Sequence, residues 1–406
     1  MNLPTKAGLA LDYDGNPIVP PWMKSWGAKS ITTTHEGTSA FLKQKAVEYI
    51  TLRANSIQID DPMLQLFTAE WGGDFSLTTL SGFRDFLSKY PNRSELNGLG
   101  IHDIEGFDYK EFLRQRFGIN TALDYRRAYK ALPTTPLWMR YLRGTVEDHI
   151  ASFRSVLNQK VDGTFPVSMN LGILNRPDQT NRHFFLSKYA EYALAETPIS
   201  DIDELVIRAA TLRALGVGYA PSLKPKSLAE NRKAIATFYA LGAQPVVPWD
   251  VYVNEGPDVL PSRFFGRVDD YGDLYKFVRD HSWLFDEHES SAVIGVVIPV
   301  DKYNERLTLP LVRRMTRNNI PFAFVLVGGS EQGHYYTAND LQSISALQIK
   351  MLQGDKLSEE VARDLSPFIS EHLPKSMRLY PRAYRESKGQ TGLVIHVVDE
   401  ARTADD

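Results

Sequence analysis

Short apolar runs that end in polar residues alternate along this chain with amphipathic stretches, the pattern of βαβ units around a parallel sheet. Strands are expected at residues 30–35, 55–61, 165–171, 191–196, 217–222 and 243–250. Helices are expected at 39–53, 202–215 and 228–241, with Gly216 and Gly242 supplying the left-handed stop of the last two. The strands recur roughly every 25 residues, apart from one interval of about 100 that is loose for βα units. Helical patterns at 77–89, 109–117 and 136–160 fill that interval. An insertion after a barrel strand falls on the carboxyl-terminal face, where loops build active sites, so it is expected to cover a substrate.

A second unit is expected from about residue 290, after the aromatic run Arg263-Phe264-Phe265-Gly266 and a helix at 271–285. Residues 292–300 and 320–327 read as buried parallel strands joined by a helix at 307–318, with a third strand at 344–352. A turn at Tyr380-Pro381-Arg382 precedes a last strand at 392–398, and the residues after Asp399 read as a disordered tail. The fold class that follows is α/β. A (β/α)8-type barrel occupies residues 1–289 with a helical insertion at about 62–165, and a small flavodoxin-like α/β domain occupies 290–406. About 30 residues precede the first clear strand, too few for two more βα units of the usual size. The barrel is therefore expected to be incomplete, or the remainder of a longer product.

Composition narrows the function classes. At 406 residues the chain exceeds one ordinary core, and 43% hydrophobic with 23% charged residues is the make-up of a globular protein. A net charge of −3 with interspersed signs offers no footprint for nucleic acid or an anionic membrane. The absence of cysteine excludes disulfides, thiolate zinc sites and a cysteine nucleophile. The amino terminus Met1-Asn2-Leu3-Pro4-Thr5-Lys6 carries no leader pattern, and no apolar run reaches the ~18 residues of a membrane span. A cytoplasmic location is the expectation for the chain as written.

The last residue of each strand in a parallel barrel points to the catalytic mouth. Here those positions hold His35, Asp60 with Asp61, Asn170, Glu196, Ser222 with Lys224, and Asp250. Two carboxylic acids flanking a bond can divide the work of nucleophile or base and of general acid. The most specific signal is Ile57-Gln58-Ile59-Asp60-Asp61-Pro62, an alternating strand that runs into two acids and a proline. Because successive side chains alternate, one acid is expected to face the mouth and its neighbour elsewhere. The competing role for these acids is a helix cap or loop brace. Glu196 precedes Thr197-Pro198, and capping the next helix is its alternative role. Trp249, before Asp250, offers an apolar face to a sugar ring or packs under the barrel end. Trp71-Gly72-Gly73-Asp74-Phe75 reads as a glycine-rich approach to a ligand or as a turn. His35, His102 and Lys224 are candidate partners for substrate hydroxyls. A metal site from Asp60, Asp61 and Asp74 is the other chemistry this acidic set allows, although no calcium-loop spacing is present. Gly328-Gly329-Ser330 matches a phosphate-binding turn only loosely, and no cofactor is expected.

On residues 57–62, 71–75, 192–196, 231–250, 263–278 and 292–329, the chain resembles bacterial glycoside-hydrolase-like proteins distantly related to beta-galactosidases, which join a catalytic barrel to a flavodoxin-like module. The resemblance implies glycosidic hydrolysis in the barrel, and a module similar to a trimerisation domain, hence a homo-oligomer. The acids depart from the beta-galactosidase pattern. With 243–250 as an eighth strand, Asp60-Asp61 falls on the fourth and Glu196 on the sixth, which looks more like alpha-galactosidase-type barrels. The resulting expectation is a glycosidase with a carbohydrate substrate. Asp60, or else Asp61, is nucleophile or base and Glu196 is the general acid, while His35, Trp71, Asp74, Asn170, Lys224, Trp249 and Asp250 bind substrate. An inactive carbohydrate-binding scaffold and a metal-dependent hydrolase are the rivals.

Overall fold

The computed structural model describes residues 6–62, 64–171, 186–197, 202–223, 228–246, 268–286, 289–290, 294–299, 312–327, 350–353, 377–385 and 391–399. The chain divides into two units, Met1–Val167 and Ser168–Asp406.

The first unit is mainly helical. In chain order it holds α1 (Glu36–Thr51), β1 (Ile57–Ile59), α2 (Leu64–Trp71), α3 (Leu77–Lys89), α4 (Arg93–Leu99), α5 (Tyr109–Phe117), α6 (Ala122–Ala128) and α7 (Thr135–Val161). The strand expected at 30–35 is instead an irregular segment with one antiparallel bridge between Leu9 and Ile31. The side-chain oxygens of Thr32, Thr33 and Thr34 bond to neighbouring side chains there, and His35 starts α1 as its cap. The expected helices at 77–89, 109–117 and 136–160 are α3, α5 and α7. The short α2, α4 and α6 escaped the periodicity, because seven or eight residues give barely two turns. Their ends are nevertheless written locally. Asn92 and Asp108 cap α4 and α5, and Thr121 with Asp124 forms a reciprocal capping box on α6.

The 27-residue α7 organises this unit. Its buried positions Leu137, Trp138, Tyr141, Leu142, Val146, Ile150, Phe153 and Leu157 follow the three-four spacing of one apolar stripe. That stripe packs on α1, α2 and α3. Trp138 is fully buried, stacked on Tyr109 and edge-on to Phe83, both with ring centroids at 4.8 Å. Phe75 closes the same cluster at 6.0 Å from Trp138 and 5.0 Å from Tyr125. Much of the aromatic richness of the expected insertion is therefore core. The segment expected as an insertion lies within the unit Met1–Val167 and carries this aromatic core.

The second unit carries parallel sheet. β2 (Val167–Asn170), β3 (Tyr192–Thr197) and β4 (Gly218–Leu223) pair in parallel, with Ser168 opposite Tyr192 and Tyr192 opposite Gly218. α8 (Ile202–Ala214) and α9 (Leu228–Ala240) follow β3 and β4 and end at Gly216 and Gly242, with φ of 70° and 76°. Beyond α9 a parallel bridge from Ser222 to Val246 continues the sheet, and the rest of the strand expected at 243–250 lies outside the described residues. β2, β3 and β4 form parallel sheet; a closed barrel is not seen among the described residues.

After α10 (Val268–Asp280) and β5 (Glu289–Ser290), the strands β6 (Ile294–Pro299), β7 (Phe322–Val327) and β8 (Lys350–Gln353) make a parallel sheet in the order β7-β6-β8. Residues 312–317 are helical, within the helix expected there. The expected turn at Tyr380-Pro381-Arg382 is corrected by β9 (Met377–Arg385), a continuous strand antiparallel to β10 (Thr391–Asp399). Pro381 stands opposite Ile395 of β10, and on the other side of β9 the described residues of β5 pair with Arg382 and Ala383.

Candidate active site

β1 is three residues long, and its Ile57 N–H donates to the Pro166 carbonyl at 3.2 Å. The alternation ends with the strand. Asp60 accepts the Asp61 N–H on its own carboxylate at 3.1 Å, and Asp61 takes a left-handed backbone with φ of 44°. That conformation is uncommon for a residue with a Cβ, and aspartate is among those that tolerate it best. The strand geometry would have turned the two acids to opposite sides; with the chain bent at Asp61, both line one cavity.

The cavity encloses about 420 Å³ in the first unit, among β1, α1, α2 and α7. Much of its wall is apolar, including Ile31, Leu42, Ile57, Ile59, Ile150 and Phe153. Against this wall stand Thr33, Lys45, Tyr49, Gln58, Asp60, Asp61, Gln65 and His149. Asp60 is exposed and Asp61 half-buried, so the acids sit where the cavity meets solvent. Lys45 pairs with Glu48 at 2.7 Å, and that hydrogen bond holds the exposed Glu48 carboxyl below its usual range.

Gln65 is the best-anchored polar group of the wall. Its carbonyl oxygen accepts from the Thr33 N–H at 3.2 Å and from the Thr33 hydroxyl, while its amide donates to Thr32 Oγ1 at 3.1 Å and to Asp74 Oδ2 at 3.3 Å. Asp74 is fully buried behind it and also accepts from Thr79 Oγ1 at 2.8 Å, the Ser76 N–H at 3.2 Å and the Leu11 N–H at 3.4 Å. Gly72 and Gly73, at φ of 131° and 80°, let the chain reach that position. A Cβ on Gly72 would meet Asp12 Cβ at 2.9 Å, and one on Gly73 would overlap the Phe75 ring. The backbone these glycines bring close is the protein's own.

His149, on α7, has Nδ1 at 3.2 Å from Ser39 Oγ, and burial followed by the nearby Lys43 charge holds its pKa down to about 4. It is therefore a neutral ring at ordinary pH.

Of the residues singled out in the sequence, Asp60 and Asp61 share this cavity. His35 does not line it; its Nδ1 accepts the Thr38 N–H at 3.2 Å and caps α1. Trp71 is half-buried at the end of α2, edge-on to Trp22 at 5.2 Å, and Asp74 is the buried brace just described. His102 is exposed, with Nδ1 at 3.3 Å from Asn97 Oδ1. Asn170 and Glu196 belong to the second unit, at the carboxyl ends of the paired strands β2 and β3, where Glu196 stands opposite Ser222 of β4 in register. Lys224, Trp249, Asp250 and the run Gly328-Gly329-Ser330 lie outside the described residues. Sequence reasoning missed Gln65 and His149. The signal for His149 was present: Val146, His149, Ile150 and Phe153 share one helical stripe, and a polar ring interrupts it.

Asp74 does not share the cavity with Asp60 and Asp61, and among the described residues no cluster of three or more His, Cys, Asp or Glu is arranged to hold a metal ion. No helix among them is long and apolar enough to cross a membrane.

No family model matches the chain. It is similar to an alpha-agarase of Thalassotalea agarivorans, 26% identical over 339 residues, which cover 71% of this chain and 22% of that protein. It is also similar to an alpha-agarase of Alteromonas agarilytica, 27% identical over 248 residues, covering 56% of this chain and 16% of that one. The chain thus spans about a fifth of the length of the curated relatives it matches. This distant similarity supports a glycoside-hydrolase-like character for the chain. It does not extend to the beta-galactosidase relation expected from the sequence.

Proposed function

We propose that this chain is, or forms part of, a glycoside hydrolase acting on an agar-type polysaccharide, with Asp60 and Asp61 as its working carboxylates. The observation that carries the reading is that both acids line one 420 Å³ cavity, in a chain similar to two alpha-agarases. The volume falls within the ~300–1,000 Å³ usual for small-ligand sites. In this reading a sugar lays an apolar face against Ile31, Ile59 and Phe153 and offers hydroxyls to Gln65 and His149. One of the two acids acts as nucleophile or base at the anomeric carbon, and a carboxylic acid protonates the departing oxygen. Which acid attacks is read from separate variants. Glu196 enters as a position of the second unit, near the carboxyl end of β3 next to the strand that carries Asn170, and Glu196→Gln tests it independently. The parallel strands of that unit are proposed to derive from a (β/α)8-type barrel, followed by a flavodoxin-like module.

The test is release of reducing ends from agar and its oligosaccharides by the full chain, against Asp60→Asn, Asp61→Asn and the double variant. Loss of at least about 100-fold in rate with a retained fold supports the reading. Binding without hydrolysis by the unaltered chain would favour a carbohydrate-binding scaffold, and activity abolished by a chelator would favour the metal-dependent hydrolase.

A further inference from the structure

We infer that His149 is a positioning residue of this cavity, its imidazole held by Ser39 at one nitrogen and offering the other to a hydroxyl of the bound sugar. The inference rests on the proposed glycosidase reading and adds a residue to it.

The argument begins with the cost of the position. Val146, His149, Ile150 and Phe153 all line the cavity from one stripe of α7, and the other three are apolar. An imidazole in such a stripe gives up hydration that an aliphatic side chain would not need, and it must recover it through hydrogen bonds. Ser39 Oγ, from α1, is 3.2 Å from Nδ1 and engages that atom. The ring also packs at a tilt of 44° beside Phe153, with centroids at 6.2 Å. Of its two polar atoms Nε2 is then the one free to serve a ligand, as donor when the Ser39 hydroxyl donates to Nδ1.

The charged surroundings favour a neutral ring. Lys43 approaches from α1, where its Nζ donates to Ser152 Oγ of α7 at 2.6 Å, and it disfavours the imidazolium form. Lys45 lines the same cavity from α1, Asp60 and Asp61 stand on its rim, and Glu147 and Asp148 precede His149 on α7. A neutral ring can orient a hydroxyl without forming an ion pair that would hold either acid in place, so the two roles do not interfere.

Two substitutions separate a hydrogen-bonding role from packing. His149→Gln places an amide nitrogen near the Nε2 position, whereas His149→Phe keeps the ring shape and removes both nitrogens. The expected result is a rise in KM for agar oligosaccharides of about five- to ten-fold in His149→Phe, with kcat changed less, and recovery to within about two- to three-fold in His149→Gln. The second readout is independent of turnover. In Asp60→Asn/Asp61→Asn protein, ¹⁵N-detected imidazole spectra should show Nε2 of His149 shifting on addition of agar oligosaccharides while Nδ1 moves little. Wild-type affinity in His149→Phe, an unmoved Nε2 at saturation, or no oligosaccharide binding at all would each overturn the inference. Undiminished hydrolysis in the double aspartate variant would sink the catalytic reading alone, because the spectra report His149 separately.

Discussion

Replacing Asp74 by Asn tests whether this acid braces the fold or contacts substrate. The carboxylate is fully buried and accepts four hydrogen bonds, two at Oδ1 from the Leu11 and Ser76 N–H groups and two at Oδ2 from Gln65 and Thr79. An asparagine of the same shape keeps one oxygen for the backbone donors and turns an NH₂ toward the Gln65 amide and the Thr79 hydroxyl. The hydroxyl can be reoriented, since Ser76 Oγ lies at 2.9 Å and Thr34 Oγ1 at 2.8 Å, but the Gln65 donor is left facing another donor. Loss of one charge-assisted bond plus one opposed donor pair gives a destabilisation of about 2–3 kcal/mol, and Asp74→Ala, which strands all four donors, about 3–5 kcal/mol. Urea unfolding followed by tryptophan fluorescence suits the measurement, because Trp22, Trp26, Trp71 and Trp138 all belong to the first unit. Oligosaccharide binding per folded molecule should fall only modestly, through a loosened Gln65. An unfolding free energy within about 0.5 kcal/mol of wild type, with binding abolished, would refute the brace and restore Asp74 as a substrate contact.

Three further outcomes follow from the same packing. Gly73→Ala should lower stability by about 1–3 kcal/mol, since φ of 80° disfavours a Cβ and that atom would collide with the buried Phe75 ring; a neutral effect in thermal unfolding would show that the loop relaxes freely. His149, held near 4 by burial and by Lys43, stays neutral in the folded chain while the unfolded chain takes up a proton near 6.5. The stability tied to the neutral ring is therefore complete above pH 6.5 and lost as pH falls toward 4, by on the order of 2 kcal/mol after allowance for partial exposure. The neighbouring Asp148, raised by burial and by Glu147, works in the opposite direction, so the comparison is with His149→Phe, whose unfolding curve should be flatter over that range. The Arg232–Asp273 pair, two contacts at 2.7 and 2.8 Å with Asp273 largely exposed, should contribute under about 1 kcal/mol and vanish in high salt; a larger coupling in a double-mutant cycle would contradict the screening argument.

The legible parts of this fold are those where one local pattern decides the structure. Parallel strands at 167–170, 192–197 and 218–223, and the helices after the last two, follow from apolar runs, amphipathic spacing and the glycine stops at 216 and 242. Where competing local chemistry decides, the reading failed. The β-branched threonines at 32–34 suggest a strand, yet their hydroxyls bond sideways to Gln65, Thr78 and Thr79 and leave an irregular segment. Pro381 suggests a turn, yet it sits inside β9, opposite Ile395 of the antiparallel β10. At the site, Asp60 and Asp61 stood out because two acids follow an alternating strand. The left-handed backbone that turns both to one cavity has no sequence signature beyond the tolerance of aspartate for it. Gln65 owes its place to Thr33 and Asp74, contacts 32 and 9 residues away, which no short-range pattern encodes.

The central claim, that the acids at the end of β1 perform glycosidic hydrolysis, is tested most directly by the double substitution Asp60→Asn/Asp61→Asn in the full chain. Reducing ends released from agar would be measured alongside the unfolding midpoint. Both side chains stand at the solvent end of the cavity and the replacements are isosteric, so the midpoint should stay close to wild type while hydrolysis falls by at least about 100-fold. Hydrolysis at the wild-type rate by the folded double variant would contradict the account and move the search for the working carboxylates to the second unit.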